Sequence, residues 1–429
     1  MSEIVKRDKA SIWHPFTPLQ GMDDVLPIVR AEGVNLFTED GKKIIDAISS
    51  WWVNIHGHSN AYLADAIAKQ AKTLEHVIFA GFTHEPATRL AERLLEILPD
   101  NQSKIFFSDN GSTAVEVGIK MAFQYFYNRG VQKKKIIAID GAYHGDTFGA
   151  MSVGERGPFT EPFDPYLFDV EFLDFPSPDK SHEVWERYVG LVKSGDVAAF
   201  VFEPIVQGAS GMKVYATELL DKMICFGQKN GVVCIADEVM TGFGRLGTLF
   251  AADQLEHKPD IMCLSKGLTG GALAMGITTC TDEIQSAYRS NDLMKTFFHG
   301  HSFTANPITC AVANASLDLL LKPECESNRK RLNTRHNEFL NRIEHHDLVR
   351  NPRVMGTIIA FELNTEKDTS YFNEARHHLY PYFIEKGILI RPLGNVIYLI
   401  PPYIISDEDL DYIYGTILEF LDAYPTLNF

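Results

Sequence analysis

Short apolar runs alternate with stretches of helical period from about residue 60 to 300. Leu63, Ile67, Ala71 and Leu74 share one helix face, as do Leu90, Leu94, Ile97 and Leu98, where Pro86 suits a helix start. The runs at 105–107, 136–139, 198–202, 232–236 and 261–264 read as strands, with helices predicted at 113–128 and 218–230. Runs that are apolar throughout suit strands buried on both faces. The alternation therefore predicts an α/β fold with a mostly parallel central sheet and helices covering it.

The pattern changes after about residue 305. Helices are predicted at 308–321, 327–345 and 371–386, and strands at 357–363, 388–391 and 396–400. A last helix starts at Ser406, with Asp409 completing an approximate capping box and Leu410, Ile413, Ile417 and Leu421 forming its apolar face. This is the texture of a smaller α+β domain. Strand candidates at 26–31 and 34–38 pack with it in the expected division: an N-terminal segment 1–58, a large domain 59–304 and a small domain 305–429.

Composition narrows the class. A chain of 429 residues exceeds what one core usually serves. The net charge of −16, with no basic tract, argues against a nucleic-acid partner. No run is apolar and long enough to cross a bilayer, and the stretch from Met1 to Ala10 lacks a signal peptide's apolar centre. Six cysteines without a CxxC pair fit a reducing cytoplasm. The expectation is a cytoplasmic enzyme that acts on small molecules.

Candidate chemistry gathers at strand ends, where open α/β sheets bind ligands. One apolar run ends at Asp237 and another at Ser265-Lys266-Gly267. A lysine amine forms a Schiff base with pyridoxal phosphate, and a carboxylate keeps its pyridine nitrogen protonated. Both residues also suit ordinary strand caps. The turn Ser108–Thr113 joins a strand to a helix, so Gly111 and Ser112 suit either a phosphate cradle or a plain N-cap. Tyr143, in a glycine-flanked loop, is either a stacking ring or a surface tyrosine, and the neighbouring His144 reads as structural. Glu203 precedes a proline-glycine turn and suits an ion pair as well as catalysis.

The GxGxxG match at Gly242–Gly247 lacks the strand before it and the helix after it that a dinucleotide site requires. A nicotinamide oxidoreductase is thus a remote alternative. His56-Gly57-His58 and His299-Gly300-His301 lack companion ligands at metal-binding spacing, so no metal is expected. Arg391, at the end of a C-terminal strand, suits either carboxylate binding or solvent.

Taken in order, Asp109–Ser112, Tyr143–Gly145, Glu203-Pro204, Asp237–Val239, Gly242–Gly247 and Ser265–Gly267 resemble the class III aminotransferases of the fold-type I pyridoxal phosphate family. The resemblance spans nearly the whole chain. Within the class it is nearest the biotin-pathway branch, on Trp13–Thr17, Ser49–Trp52 and the passage from Ile390 to Tyr403. It implies a homodimer that uses pyridoxal 5'-phosphate to aminate 8-amino-7-oxononanoate, with S-adenosylmethionine as donor. Lysine as donor, or another ω-amino acid aminotransferase of the class, is the alternative. A non-catalytic protein on the same fold would not need the intact Lys266 and Asp237.

The resemblance also implies roles. Lys266 would carry the cofactor and shuttle the proton, Asp237 would pair with the pyridinium, and Tyr143 and Val239 would enclose the ring. Gly111 and Ser112 would bind the phosphate, with His301 of the partner subunit and Ser302 of the partner subunit. Trp51, Trp52, Gly300 and Phe16 would line the substrate pocket, and Arg391 would hold the acceptor's carboxylate. Two positions depart from the pattern. Met240 stands where many class III members have glutamine, which leans away from the 4-aminobutyrate and ornithine enzymes. Phe16 stands where many of the biotin-pathway branch have tyrosine.

Overall fold

Alternate residues of the central strands enter two different cores. Phe200 and Phe202 join an apolar cluster with Ile137, Ile139 and Ala236, whereas Ala199 and Val201 join another with Ile136, Ala138 and Ile235. Successive strand side chains point to opposite faces, so a continuous apolar run needs cover on both. In this computed structural model, which describes residues 2–21, 25–365, 367 and 369–423, helices supply it. Helix Gly111–Asn128 covers one face, and helices Glu85–Ile97 and Thr217–Lys229 cover the other.

The sheet contains β1 (Gln102–Ser108), β2 (Lys135–Ile139), β3 (Glu171–Leu173), β4 (Val197–Phe202), β5 (Val233–Asp237), β6 (Ile261–Leu264) and β7 (Gly276–Thr281). Their order is β1-β7-β6-β5-β4-β2-β3. Only β7 runs against its neighbours. The C-terminal ends of the other six strands therefore share one edge with the start of β7. This is the α/β class expected, with a mostly parallel sheet.

The hydrophobic pattern misses β3, β7 and helix Ser181–Lys193. For β7 the reason is chemical. Its buried Thr278 and Thr279 look polar in sequence, yet Thr278 Oγ1 donates to Ala114 O at 2.7 Å and Thr279 donates to the Gln102 side chain. The helix expected over 371–386 begins only at Arg376 and ends at Glu385. Asn373 delays it: its amide donates to Ser370 O, and its side chain accepts from the Ala375 amide at 3.1 Å. Asparagine competes with helix in this way.

Strands from both ends of the chain meet. Ile28–Glu32 and Asn35–Thr38 form a hairpin, and Lys43–Asp46 extends it and pairs in parallel with Ile388–Leu389. A second small sheet joins Val349–Met355, Ile358–Leu363 and Val396–Leu399. Helices Pro307–Leu320, Pro323–Ile343 and Asp407–Ala423 complete this part of the chain. Ser406 Oγ accepts from the Asp409 amide at 3.0 Å and donates to its carboxylate at 2.9 Å, so the last helix starts where expected. Residues 424–429 of the expected small domain lie outside the described residues. Among the described residues no helix is long and apolar enough to cross a membrane.

A methyl group on Gly276 would sit 2.1 Å from Asn110 O and 2.4 Å from Ser108 Oγ, where β7 meets β1. The carbonyl belongs to backbone at the start of helix Gly111–Asn128 and has no free room. Gly276→Ala should cost roughly 1–3 kcal/mol of stability by overpacking, read as a lower Tm in thermal unfolding. An unchanged Tm would show that this junction yields freely.

Candidate active site

The shared strand edge opens into a cavity of about 660 Å³. Four of the parallel strands deliver residues that follow them: Gly111 and Ser112 after β1, Tyr143 and His144 after β2, Glu203 after β4, and Lys266 after β6. Asp237 closes β5 itself, with Val239 just beyond. The antiparallel β7 delivers the residue before its start, Met275.

Asp237 is buried. Its Oδ2 lies 2.7 Å from His144 Nδ1, and its Oδ1 accepts from the Val239 amide at 3.0 Å. Burial disfavours the charged imidazole, but the hydrogen bond and charge of Asp237, helped by Glu203, outweigh it and raise the His144 pKa. His144 Nε2 is buried without a partner, so the ring is committed to Asp237 alone. Glu203 accepts from the Tyr143 amide at 3.1 Å and the Gly208 amide at 2.9 Å. Burial pushes its carboxyl up to about 7, and its two amide bonds brace the loop.

Lys266 is half-buried, and its Nζ lies 4.6 Å from the centre of the Trp52 ring. Burial lowers its pKa to about 8, against the pull of Asp237 and Glu203. A neutral amine is thus within reach near neutral pH. Asn110 caps helix Gly111–Asn128 by accepting from the Thr113 amide at 2.9 Å. That leaves the amides of Gly111 and Ser112 at the cavity wall, where a helix start favours an anion. A Cβ on Gly111 would meet Val239 Cγ1 at 2.7 Å, so only glycine keeps this approach open. Ser112 Oγ lies 2.7 Å from Thr147 Oγ1 and accepts from the Thr147 amide at 3.0 Å. An anion site at one end, a buried carboxylate at the other and a lysine amine between aromatic walls fit a phosphorylated pyridine aldehyde.

Trp51, Phe16 and Arg391 do not line this cavity but cluster with one another. Arg391 is half-buried, with its guanidinium 4.7 Å from the Trp51 ring centre, and has no ion-pair partner among the described residues. Phe16 packs edge-on to Trp51 at 5.7 Å. Trp52 is buried, donates from Nε1 to Tyr398 OH at 3.1 Å, and lines the cavity. Gly300, His301 and Ser302 lie outside the cavity of their own chain.

Sequence reasoning missed Asp146, Thr147 and the segment from Gly271 to Met275 in the cavity wall. Asp146 accepts from Tyr143 OH at 2.9 Å. The glycine pair Gly270-Gly271 was the available signal, because both have positive φ and Gly271 presses on the backbone of Asn54. Gly242–Gly247 forms turns and opens no helix, so the dinucleotide match carries no site. Arg245 within it is buried and donates to Pro401 O, Trp52 O and Asn54 O. Of the paired histidines, His56 bonds Ser316 and His58 bonds Asp46.

Residues 20–421 match the aminotransferase class-III family, and the chain belongs to it. The adenosylmethionine-8-amino-7-oxononanoate aminotransferase of Synechococcus elongatus is 47% identical over 419 residues, covering 96% of this chain and 98% of that protein. The crystal structure of the Methanocaldococcus jannaschii protein of the same name superposes with a TM-score of 0.91 at 34% identity, covering 98% of each chain. An amine transaminase from an uncultivated Pseudomonas species, solved in its PLP-bound form, gives a TM-score of 0.89 at 28% identity, covering 96% of this chain and 98% of its own.

The Lys266 environment has a direct test. With its pKa lowered from 10.5 to about 8, the folded chain binds fewer protons than the unfolded chain between those values, so stability should rise with pH across that window. In protein stripped of small molecules, an acylating reagent should modify Lys266 with a midpoint near pH 8. A midpoint near that of surface lysines would contradict the assignment.

Proposed function

We propose that this protein converts 8-amino-7-oxononanoate to 7,8-diaminononanoate in biotin biosynthesis, with S-adenosylmethionine as amino donor and pyridoxal 5'-phosphate as cofactor. The observation that carries the reading is the meeting of Lys266 and the His144-bonded Asp237 in one cavity. Near full-length similarity to proteins named for this reaction supplies the substrates.

Pyridoxal phosphate supplies an aldehyde for amine exchange and a protonated ring that withdraws electrons from the reacting carbon. Asp237, held by His144 and the Val239 amide, keeps the proton on the ring nitrogen. Tyr143 and Val239, both in the cavity wall, would enclose the ring. The Gly111 and Ser112 amides and the Ser112 hydroxyl would bind the phosphate, joined by His301 of the partner subunit and Ser302 of the partner subunit. Lys266 would act as the general base that accepts the proton of the donor's α-carbon on Nζ, a task its lowered pKa suits. Trp51, Trp52, Gly300 and Phe16 line the substrate space, and Arg391 pairs with the acceptor's carboxylate. Trp51 and Phe16 offer flat faces to a bulky sulfonium donor. The working form is a cytoplasmic homodimer, each subunit divided at residues 58 and 304.

A product assay with 8-amino-7-oxononanoate and a panel of donors tests the reading. S-adenosylmethionine should aminate the cofactor faster than lysine at matched concentration. A faster lysine reaction would move the donor assignment and leave the acceptor intact, while an ω-amino acid acceptor used in preference would overturn the acceptor. Borohydride should fix pyridoxyl mass on Lys266, and Asp237→Asn should keep some cofactor while losing most turnover. Arg391→Ala should weaken acceptor binding by roughly 2–5 kcal/mol and spare the donor half-reaction. Equal loss in both halves would make Arg391 structural.

A further inference from the structure

Ser49, Ser50, Trp51 and Trp52 have φ of 52°, 46°, 74° and 72°. Four successive residues with side chains thus occupy the left-handed region, which a Cβ disfavours at each one. Such a turn persists only where its surroundings over-determine it. Asp46, fully buried at the end of strand Lys43–Asp46, is the group that does so. Its Oδ1 accepts from the Ile48 amide at 3.2 Å and the Ser50 amide at 2.9 Å. Its Oδ2 accepts from Ser50 Oγ at 2.7 Å and lies 2.9 Å from His58 Nε2. The other ring nitrogen, His58 Nδ1, lies 3.2 Å from Asn54 Nδ2, just beyond the turn. Asp46 and His58 tie the chain before the turn to the chain after it.

This turn aims two rings. Trp52 comes within 4.6 Å of Lys266 Nζ, and Trp51 within 4.7 Å of the Arg391 guanidinium. We infer that Asp46 and His58 are positioning residues for the substrate pocket, because they hold the left-handed turn that places Trp51 and Trp52. Neither touches a substrate. A carboxylate accepts from all four groups at once, whereas an amide at Asp46 would turn its NH2 toward one pair of them and force that pair to reorient or lose its bonds. The inference rests on the proposed substrate-lining role of the two tryptophans.

The test is Asp46→Asn, with Ser50→Ala as a milder variant that removes one hydrogen bond to the carboxylate. Each is made in the full-length holoenzyme, alone and combined with Trp51→Ala. The expected result is a KM for 8-amino-7-oxononanoate raised on the order of 10-fold for Asp46→Asn and less for Ser50→Ala. The cofactor's absorbance and kcat should change little. Adding Trp51→Ala should then cost much less than it does alone, because both changes act through the same ring. In a Trp13→Phe, Trp185→Phe background, where only Trp51 and Trp52 remain, tryptophan emission should shift in both variants. Unshifted emission, an unchanged KM, or a full additional effect of Trp51→Ala would overturn the inference, as would a loss of kcat and cofactor together. If the unmutated protein fails to turn over 8-amino-7-oxononanoate, the functional reading is at fault, and the emission arm still decides whether Asp46 holds the turn.

Discussion

Burial of the Asp237 carboxylate is the constraint on which the site depends. An ionised acid inside a sheet is expensive unless its oxygens are satisfied. Here one oxygen meets His144 and the other takes the Val239 amide. His144 must therefore leave the end of β2 and turn inward across β4, which carries Tyr143 to the cavity wall. Glu203, at the end of the intervening strand, accepts from the amide of Tyr143 and fixes that turn. The loops beyond three neighbouring strands thus take their shape around one acid.

Strand polarity explains why the remaining groups arrive from so many places in the chain. Six strands point the same way, so each βα turn opens on the same edge. The lone antiparallel strand brings the Gly271–Met275 segment to the wall from the other direction. At the start of helix Gly111–Asn128, the absence of a side chain on Gly111 keeps the backbone amides accessible beside Val239. Lys266 lines the same cavity, in surroundings dry enough to weaken its hold on a proton.

The N-terminal strands and the C-terminal part of the chain finish the pocket together. Lys43–Asp46 pairs with Ile388–Leu389, which brings the Ser49–Trp52 turn beside Arg391. Arg245, buried in the glycine-rich stretch, donates to the carbonyls of Trp52 and Asn54 from the opposite side. A segment that matches a dinucleotide fingerprint in sequence thus serves as a brace for the pocket wall.

The sequence by itself determined the α/β class, the strand ends that carry Asp237 and Lys266, and the strand-to-helix turn around Gly111, because apolar period, punctuation and local turn chemistry act over a few residues. It showed neither β7, whose threonines bond partners far along the chain, nor the late start of helix Arg376–Glu385, where one asparagine outweighs the period. It left His144 a structural histidine, Glu203 an open choice and Arg391 as ready for solvent as for a carboxylate. Only tertiary structure gave His144 and Glu203 their partners and set Arg391 over the Trp51 ring, since these contacts join residues tens to hundreds of positions apart. The left-handed turn at Ser49–Trp52 belongs to the same class. No residue in it favours positive φ, and the acid and histidine that hold it are brought together by the fold.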